Sequence, residues 1–547
     1  MENVRWARLK RGALLTSCAW LSLALTSRPA KAFDYQFDNG VVIRFDNTVQ
    51  YSLLERTGPE SSVFANNPNE NDGDNNLRAG IVGNRFDLLT KFDISDNGYG
   101  FDTTVDSFYD FVYNQKTQNT DQNSYNAANE PASKFTSATR TRAGRDIELR
   151  NLFLYGSNTI GGVPVTVRVG RLVNLYGESL LFATNGISYG QAPIDIERAA
   201  SVPNTQAKDL FLPVGQVLMS AQLSDEVSVS AYYQFEWEQF NFPPAGSYFS
   251  PIDFFGPGGQ RLIFAEPHGG APGAYLYRAS DLKGRDTGQF GAAVHYDPSW
   301  LAVDFGLYAL QYNDSEAQVY AHISGAPSYI PRTNSVVAGT YQEVFANGIQ
   351  IYGASASGTV GPTNYAGEVS VRTHEDLVSS VTTFPGQPLG NNTNNALYAT
   401  GNVLHYQASA LYLGPTTRFW NGSSITAEVA GNNLLGFDSN RQNFNRAYRH
   451  MALGLRSIFA ADYYEVLPGL DLTPSIGIGW NFMGLSPDTT GFNSTGIDRG
   501  GDITFSLGTT FRNLWTGSIS YTRYIAPPGR DLYADRDFAA FNVERTF

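Results

Sequence analysis

Alternation of apolar and polar residues with a period of two, sustained over about ten residues and repeated to the last residue, constrains this chain most. In the first such segment Val41, Ile43, Phe45, Val49, Tyr51 and Leu53 share one face, and Arg44, Asp46, Thr48, Gln50 and Ser52 the other. That period belongs to β-strands with one greasy and one polar side. No later stretch offers twenty consecutive apolar residues, so a membrane crossing would have to be made by strands closed into a barrel. Composition agrees. With Tyr 31, Phe 35 and Gly 54 but Met only 4, the chain is rich in aromatics yet short of core-filling aliphatics. A barrel with a polar inside and aromatic girdles outside has that balance.

The pattern recurs at 84–94, 99–110, 146–156 and 163–171. Thirteen more segments follow near 214–224, 227–238, 287–296, 300–312, 347–357, 364–374, 401–413, 423–433, 449–461, 470–482, 502–512, 516–525 and 538–547. Long polar links near 55–80, 114–144, 172–213, 239–286, 313–346, 375–400, 434–448, 483–501 and 526–537 alternate with short ones such as SDNG, DPS, GPTN and LPG. The expected fold is all-β, an antiparallel transmembrane β-barrel of about 16–18 strands, with long outer loops, short periplasmic turns and both termini periplasmic.

Residues 1–32 read as a removable signal peptide. Arg5, Arg8, Lys10 and Arg11 precede an apolar stretch from Ala13 to Thr26, and Ala30-Lys31-Ala32 offers a cleavage site. The barrel would then occupy 33–547. Cleavage removes Cys18, the only cysteine, together with six of the 38 Lys and Arg and one of the 51 Asp and Glu, leaving 32 bases against 50 acids and a net charge of −18. Such a chain is a poor partner for nucleic acid. The last segment, FAAFNVERTF, resembles the sorting signal read by the barrel-assembly machinery through its terminal Phe547, although Arg545 departs from it. The expected location is the outer membrane of a Gram-negative bacterium, with its lipids as partners.

Between Gly170 and Gly259 the alternation stops for about forty residues. A third loop this long is expected to fold inward and narrow the lumen. Its Arg171, Asn174, Glu178, Asp195, Glu197, Arg198, Lys208 and Asp209 would either set a charged constriction or pair with the wall to hold the loop. Phe182, Tyr189, Phe211, Phe240, Phe242, Tyr248, Phe249, Phe254 and Phe255 would form a greasy binding track or the packing of the loop. On the wall, Arg44, Arg85, Lys91, Arg150 and Arg168 face inward opposite Asp102, Asp106 and Asp110. They would set up a transverse field or an ion-pair ladder between neighbouring strands. NENDGDNN near residue 70 lacks the distal glutamate of a calcium loop and reads as solvated. No hydrolase elbow, phosphate loop or histidine metal spacing occurs, so no catalytic residue, cofactor or metal is expected.

GRLVNLYGES, LFLPVGQV, AYYQFEWEQ and GSYFSPIDFFGPGG resemble the hallmark blocks of the proteobacterial family catalogued as domain of unknown function 1302. NRFDLL and the alternating C-terminal end are also similar. Tyr176 departs from that family's usual Trp. The resemblance implies an outer-membrane, porin-like protein that handles hydrophobic or amphiphilic compounds (lipid, sterol or hydrocarbon-like), with an inner-membrane exporter and a periplasmic carrier as possible partners. Two other classes stay open: a structural or partner-binding barrel, and an outer-membrane enzyme assembled across strands.

Overall fold

The computed structural model describes residues 33–202, 210–331, 334–489, 491–493, 498–526 and 531–547. Eighteen strands form the wall. The first nine are β1 (Val42–Arg56), β2 (Gly80–Asp96), β3 (Tyr99–Asp110), β4 (Arg145–Ile160), β5 (Val163–Leu172), β6 (Val214–Gln222), β7 (Val227–Gln234), β8 (Gln289–Tyr296) and β9 (Val303–Asn313). The rest are β10 (Asn347–Val360), β11 (Thr363–Asp376), β12 (Thr400–Gly414), β13 (Gly422–Ser439), β14 (Met451–Leu467), β15 (Leu470–Met483), β16 (Gly500–Phe511), β17 (Trp515–Ile525) and β18 (Phe538–Thr546). Each pairs antiparallel with the next in sequence, and β18 returns to β1 through Phe538–Thr546 against Thr48–Arg56. The barrel is closed. A short strand, Phe33–Gln36, pairs with Val42–Phe45 and continues that seam beyond Phe547.

Burial runs opposite to that of a soluble protein. Phe45, Val49, Phe86, Leu88, Leu152, Leu154 and Leu307 are exposed on the outside, whereas Gln50, Ser52, Arg56, Arg85, Asp87 and Asp106 are buried inside. Exposed aromatics gather at both ends of the wall: Tyr99, Tyr296, Trp300, Tyr365 and Tyr464 at the short turns, and Phe111, Tyr233, Phe235 and Phe290 at the long loops. An apolar band between aromatic belts is the surface a bilayer requires. Arg545 fits this surface because its guanidinium lies over the rings of Trp515, at 5.0 Å, and Phe547, at 4.6 Å.

Three of the nine long loops depart from the sequence reading. The links after β7, β9 and β11 contain a second, five-stranded sheet built from Arg261–Ala265, Gly273–Arg278, Gln318–Ile330, Ser335–Val344 and Val381–Thr383. It includes parallel pairs between segments far apart in sequence. Its buried Tyr275, Leu276, Tyr320, Tyr341 and Val344 give it a core of its own. The acidic run near residue 70 is also buried rather than solvated: Asp72–Asn76 forms a helical turn, and Asp74 is clamped by Arg56 and Arg536.

Candidate constriction and lumen

The third long loop leaves the wall at Val173 and crosses the barrel. Its far side rests on two carboxylates of the opposite wall. Glu368 on β11 accepts from the backbone N–H of Ile187, at 2.9 Å, and from that of Glu178, and also from Gln407, at 3.0 Å. Glu428 on β13 accepts from three successive N–H groups, Leu180, Leu181 and Phe182. Arg372 on β11 donates to the carbonyls of Thr184 and Gly186. Gly177 permits this seat. Its φ is +87°, and a Cβ there would lie 2.3 Å from a Glu368 oxygen.

On its return the loop meets the near wall. Asp195 caps a short helix, Ile196–Ser201, by accepting from the Arg198 N–H, and also pairs with Arg150 at 3.3 Å and Asn241 at 2.7 Å. Arg198 pairs with Asp106 on β3. Glu197 is buried, and loss of solvent pushes its carboxyl up to about 8 against the pull of Arg85. The loop is therefore tied to β3 and β4 on one side and to β11–β13 on the other, nearly a barrel diameter apart.

Most wall charges pair with the loop or within one strand, while Arg44–Asp93 and His295–Asp304 join neighbouring strands. Arg85 grips Asp87 two residues along its own strand and stacks on Phe108 at 3.6 Å. Arg44 stands near Asp34 and Asp93 at the turn end, and Asp102 is half-buried on β3. Arg171 pairs with Glu236 and donates to the Pro213 carbonyl. Asn174 lies on the inward turn two residues before Tyr176, and the Glu178 carboxylate accepts from Ser357. Lys208 and Asp209 fall outside the described residues.

Phe254 and Phe255 lie elsewhere. Phe254 packs on Tyr341 in the outer sheet and Phe255 on Phe242, and neither lines the lumenal cavity. Phe182, Tyr189, Phe240, Tyr248 and Phe249 are buried as loop packing rather than laid out as a track. Glu368, Arg372 and Glu428 were missed by the sequence reading. Their signal was a charged residue on the inward face of an otherwise small or apolar strand.

Beneath the loop is a cavity of about 510 Å³ that reaches the turn end of the wall at Asp46, Thr48, Glu544 and Thr546. Lys91, Arg150, Arg168 and Arg198 face into it beside Leu89, Phe153, Leu172 and Phe211. Lys91 and Arg168 make no ion pair among the described residues. A second cavity, of about 270 Å³, shares Arg150 and Pro213 with the first. It is lined by both Leu149 and Arg150, neighbours on opposite faces of β4. It therefore lies at the strand's edge. That edge is free because β4 pairs with β5 only over Leu152–Ile160; beyond it the partner has already turned inward at Val173.

A family model described as a protein of unknown function, DUF1302, matches residues 13–547. The chain belongs to that family. No curated protein matches this DUF1302 chain. Among solved structures, it is similar to the outer membrane channel DcaP of Acinetobacter baumannii at 7% identity and TM-score 0.39, over 94% of this chain and 99% of that one. It is also similar to a BenF-like porin from Pseudomonas fluorescens Pf-5, at 9% and 0.42 over 93% and 98%. OccAB1 of Acinetobacter baumannii stands at 10% and 0.43 over 95% and 99%.

Proposed function

We propose that this DUF1302 protein is an outer-membrane channel, narrowed by its third loop, that passes small amphiphilic molecules between the periplasmic side and the lipid-facing side of its wall. The carrying observation is the pair of cavities that meet at Arg150 and wrap the free edge of β4. One end of that route is charged and open to the turn side. The other passes Leu149, which is 41% exposed on the lipid-facing surface. Cationic Lys91 and Arg168 suit an acidic head group, and Leu89, Phe153 and Phe211 suit an apolar body.

The test uses Leu149→Cys, which is unique once the leader with Cys18 is absent. A bulky maleimide at that position should abolish transfer of a fluorescent fatty acid from proteoliposomes while leaving ion conductance in planar bilayers intact. Undiminished transfer would dismiss the lateral route. No conductance in the parent protein or after deletion of Glu178–Lys208 would dismiss the channel, and a structural barrel would take its place.

A further inference from the structure

Where the loop meets the far wall, three ligand-type atoms converge without donors. They are His405 Nε2 on β12, Glu375 Oε2 on β11 and Asp488 Oδ2 in the loop after β15. The three residues are each 1–6% exposed. His405 Nε2 stands 3.5 Å from each carboxylate oxygen.

The tautomer of His405 follows from its other nitrogen. Nδ1 lies 3.0 Å from Asn185 Oδ1. The Asn185 amide is oriented by donating through Nδ2 to Gln407 Oε1 and the Gly431 carbonyl, both at 3.3 Å. Asn185 Oδ1 can only accept, so Nδ1 carries the proton and Nε2 presents a lone pair to two carboxylates. Three electron-rich atoms facing one another in a buried site call for a shared proton or a cation between them. Arg372 binds Glu375 through the other oxygen, Oε1, at 2.9 Å and is 3.6 Å from Asp488 Oδ2, which leaves one of the two negative charges unmatched.

A proton on Nε2 fills the gap poorly, because 3.5 Å exceeds the reach of a good N–H···O bond. A tetrahedral cation with bonds of about 2.1 Å to nitrogen and oxygen places its ligands about 3.4 Å apart. The outer partners of such a site are already in place. Asp488 Oδ1 accepts from Asn432 at 3.0 Å and from Ser486, and Asn185 steers the imidazole.

We infer that Glu375, His405 and Asp488 bind a divalent transition cation of the zinc type, with Asn185 as a positioning residue. Because Asn185 belongs to the lumen-crossing loop, the cation would lock that loop to the wall and to the loop after β15. This inference is independent of what the channel carries.

The experiment reads metal on the folded resting protein, with folding checked by heat-modifiable gel mobility. Chelator-stripped protein titrated with zinc chloride should take up about one equivalent. His405→Gln should lose that equivalent, and Asn185→Ala, which keeps all three ligands, should weaken it by about 10- to 100-fold. Bound zinc should also slow protease cleavage of the lumen loop in the parent protein. No stoichiometric uptake by folded parent protein would overturn the inference, as would uptake unchanged in both variants. A protonated-carboxyl infrared band in place of zinc would show that a proton holds the pair.

Discussion

The backbone N–H of Phe182 lies 3.1 Å from the Glu428 carboxylate, which gathers it together with the N–H groups of Leu180 and Leu181. One side chain on β13 thus holds three successive peptides of a loop that set out from β5. Hydrogen bonds to a charged acceptor contribute about 1.5–3 kcal/mol each, and donors left unsatisfied cost a similar amount. Glu428→Ala should therefore unseat the loop by at least about 2 kcal/mol. Larger conductance steps and new protease cleavage within 173–202 are expected, with the barrel still closed. Unchanged steps would mean that Glu368 and Arg372 suffice.

Gly177 supplies a backbone test of the same contact. Gly177→Ala puts a methyl group 2.3 Å from Glu368 Oε2 at a φ of +87°. The strain should exceed about 1 kcal/mol and open the loop without altering any wall charge. Conductance like that of the Glu428 variant is expected; a silent phenotype would place the seat elsewhere.

The loop should also respond to pH. Burial raises the Glu197 carboxyl from its ordinary value of 4.5 to about 8. A buried acid of this kind binds its proton more tightly in the seated loop than in the unfolded chain. Its contribution is therefore fully present below about pH 4.5 and is lost as pH rises to 8 and beyond. Channel openings should grow more frequent from pH 6 to 9. Glu197→Gln should flatten that dependence and keep the loop seated at high pH.

Lys91 and Arg168 face the lower cavity without ion-pair partners among the described residues. Reversing both to Glu should shift reversal potentials in a salt gradient toward cation selectivity. It should also weaken binding of a fatty-acid probe by at least about tenfold, or 1.4 kcal/mol. A probe that binds equally well would dismiss the acidic head group as the ligand's handle.

The wall was legible because a two-residue period needs only the local sequence, and the lipid face imposes it on every strand. Phe86 and Leu88 against Arg85 and Asp87 are a clear case. The inward loop was legible from the break in that period after Gly170. What the loop touches was not. Arg150 to Asp195 and Arg198 to Asp106 join strand to loop across 45 and 92 residues, and nothing in the alternation encodes such a meeting. The outer sheet was not legible because its two hairpins and Val381–Thr383 are joined by parallel pairs out of sequence order, as Gly273–Arg278 with Ser335–Tyr341. Phe254 lies away from the lumen for the same reason, packed on Tyr341 of that sheet, and Phe255 packs on Phe242 beside it.

The seam between β1 and β18 is unlike every other contact of the wall. Ser52 and Asn542 share a hydrogen bond across 490 positions, whereas each remaining wall pair joins strands consecutive along the chain. Seventeen hairpin-like steps can be taken in any order at little entropic cost, but the eighteenth has to wait for both ends of the polypeptide. Without Phe538–Thr546 the wall would hold nearly the whole cylinder and still present two raw edges to the lipid. The last strand is therefore the piece whose arrival turns an open sheet into a sealed wall.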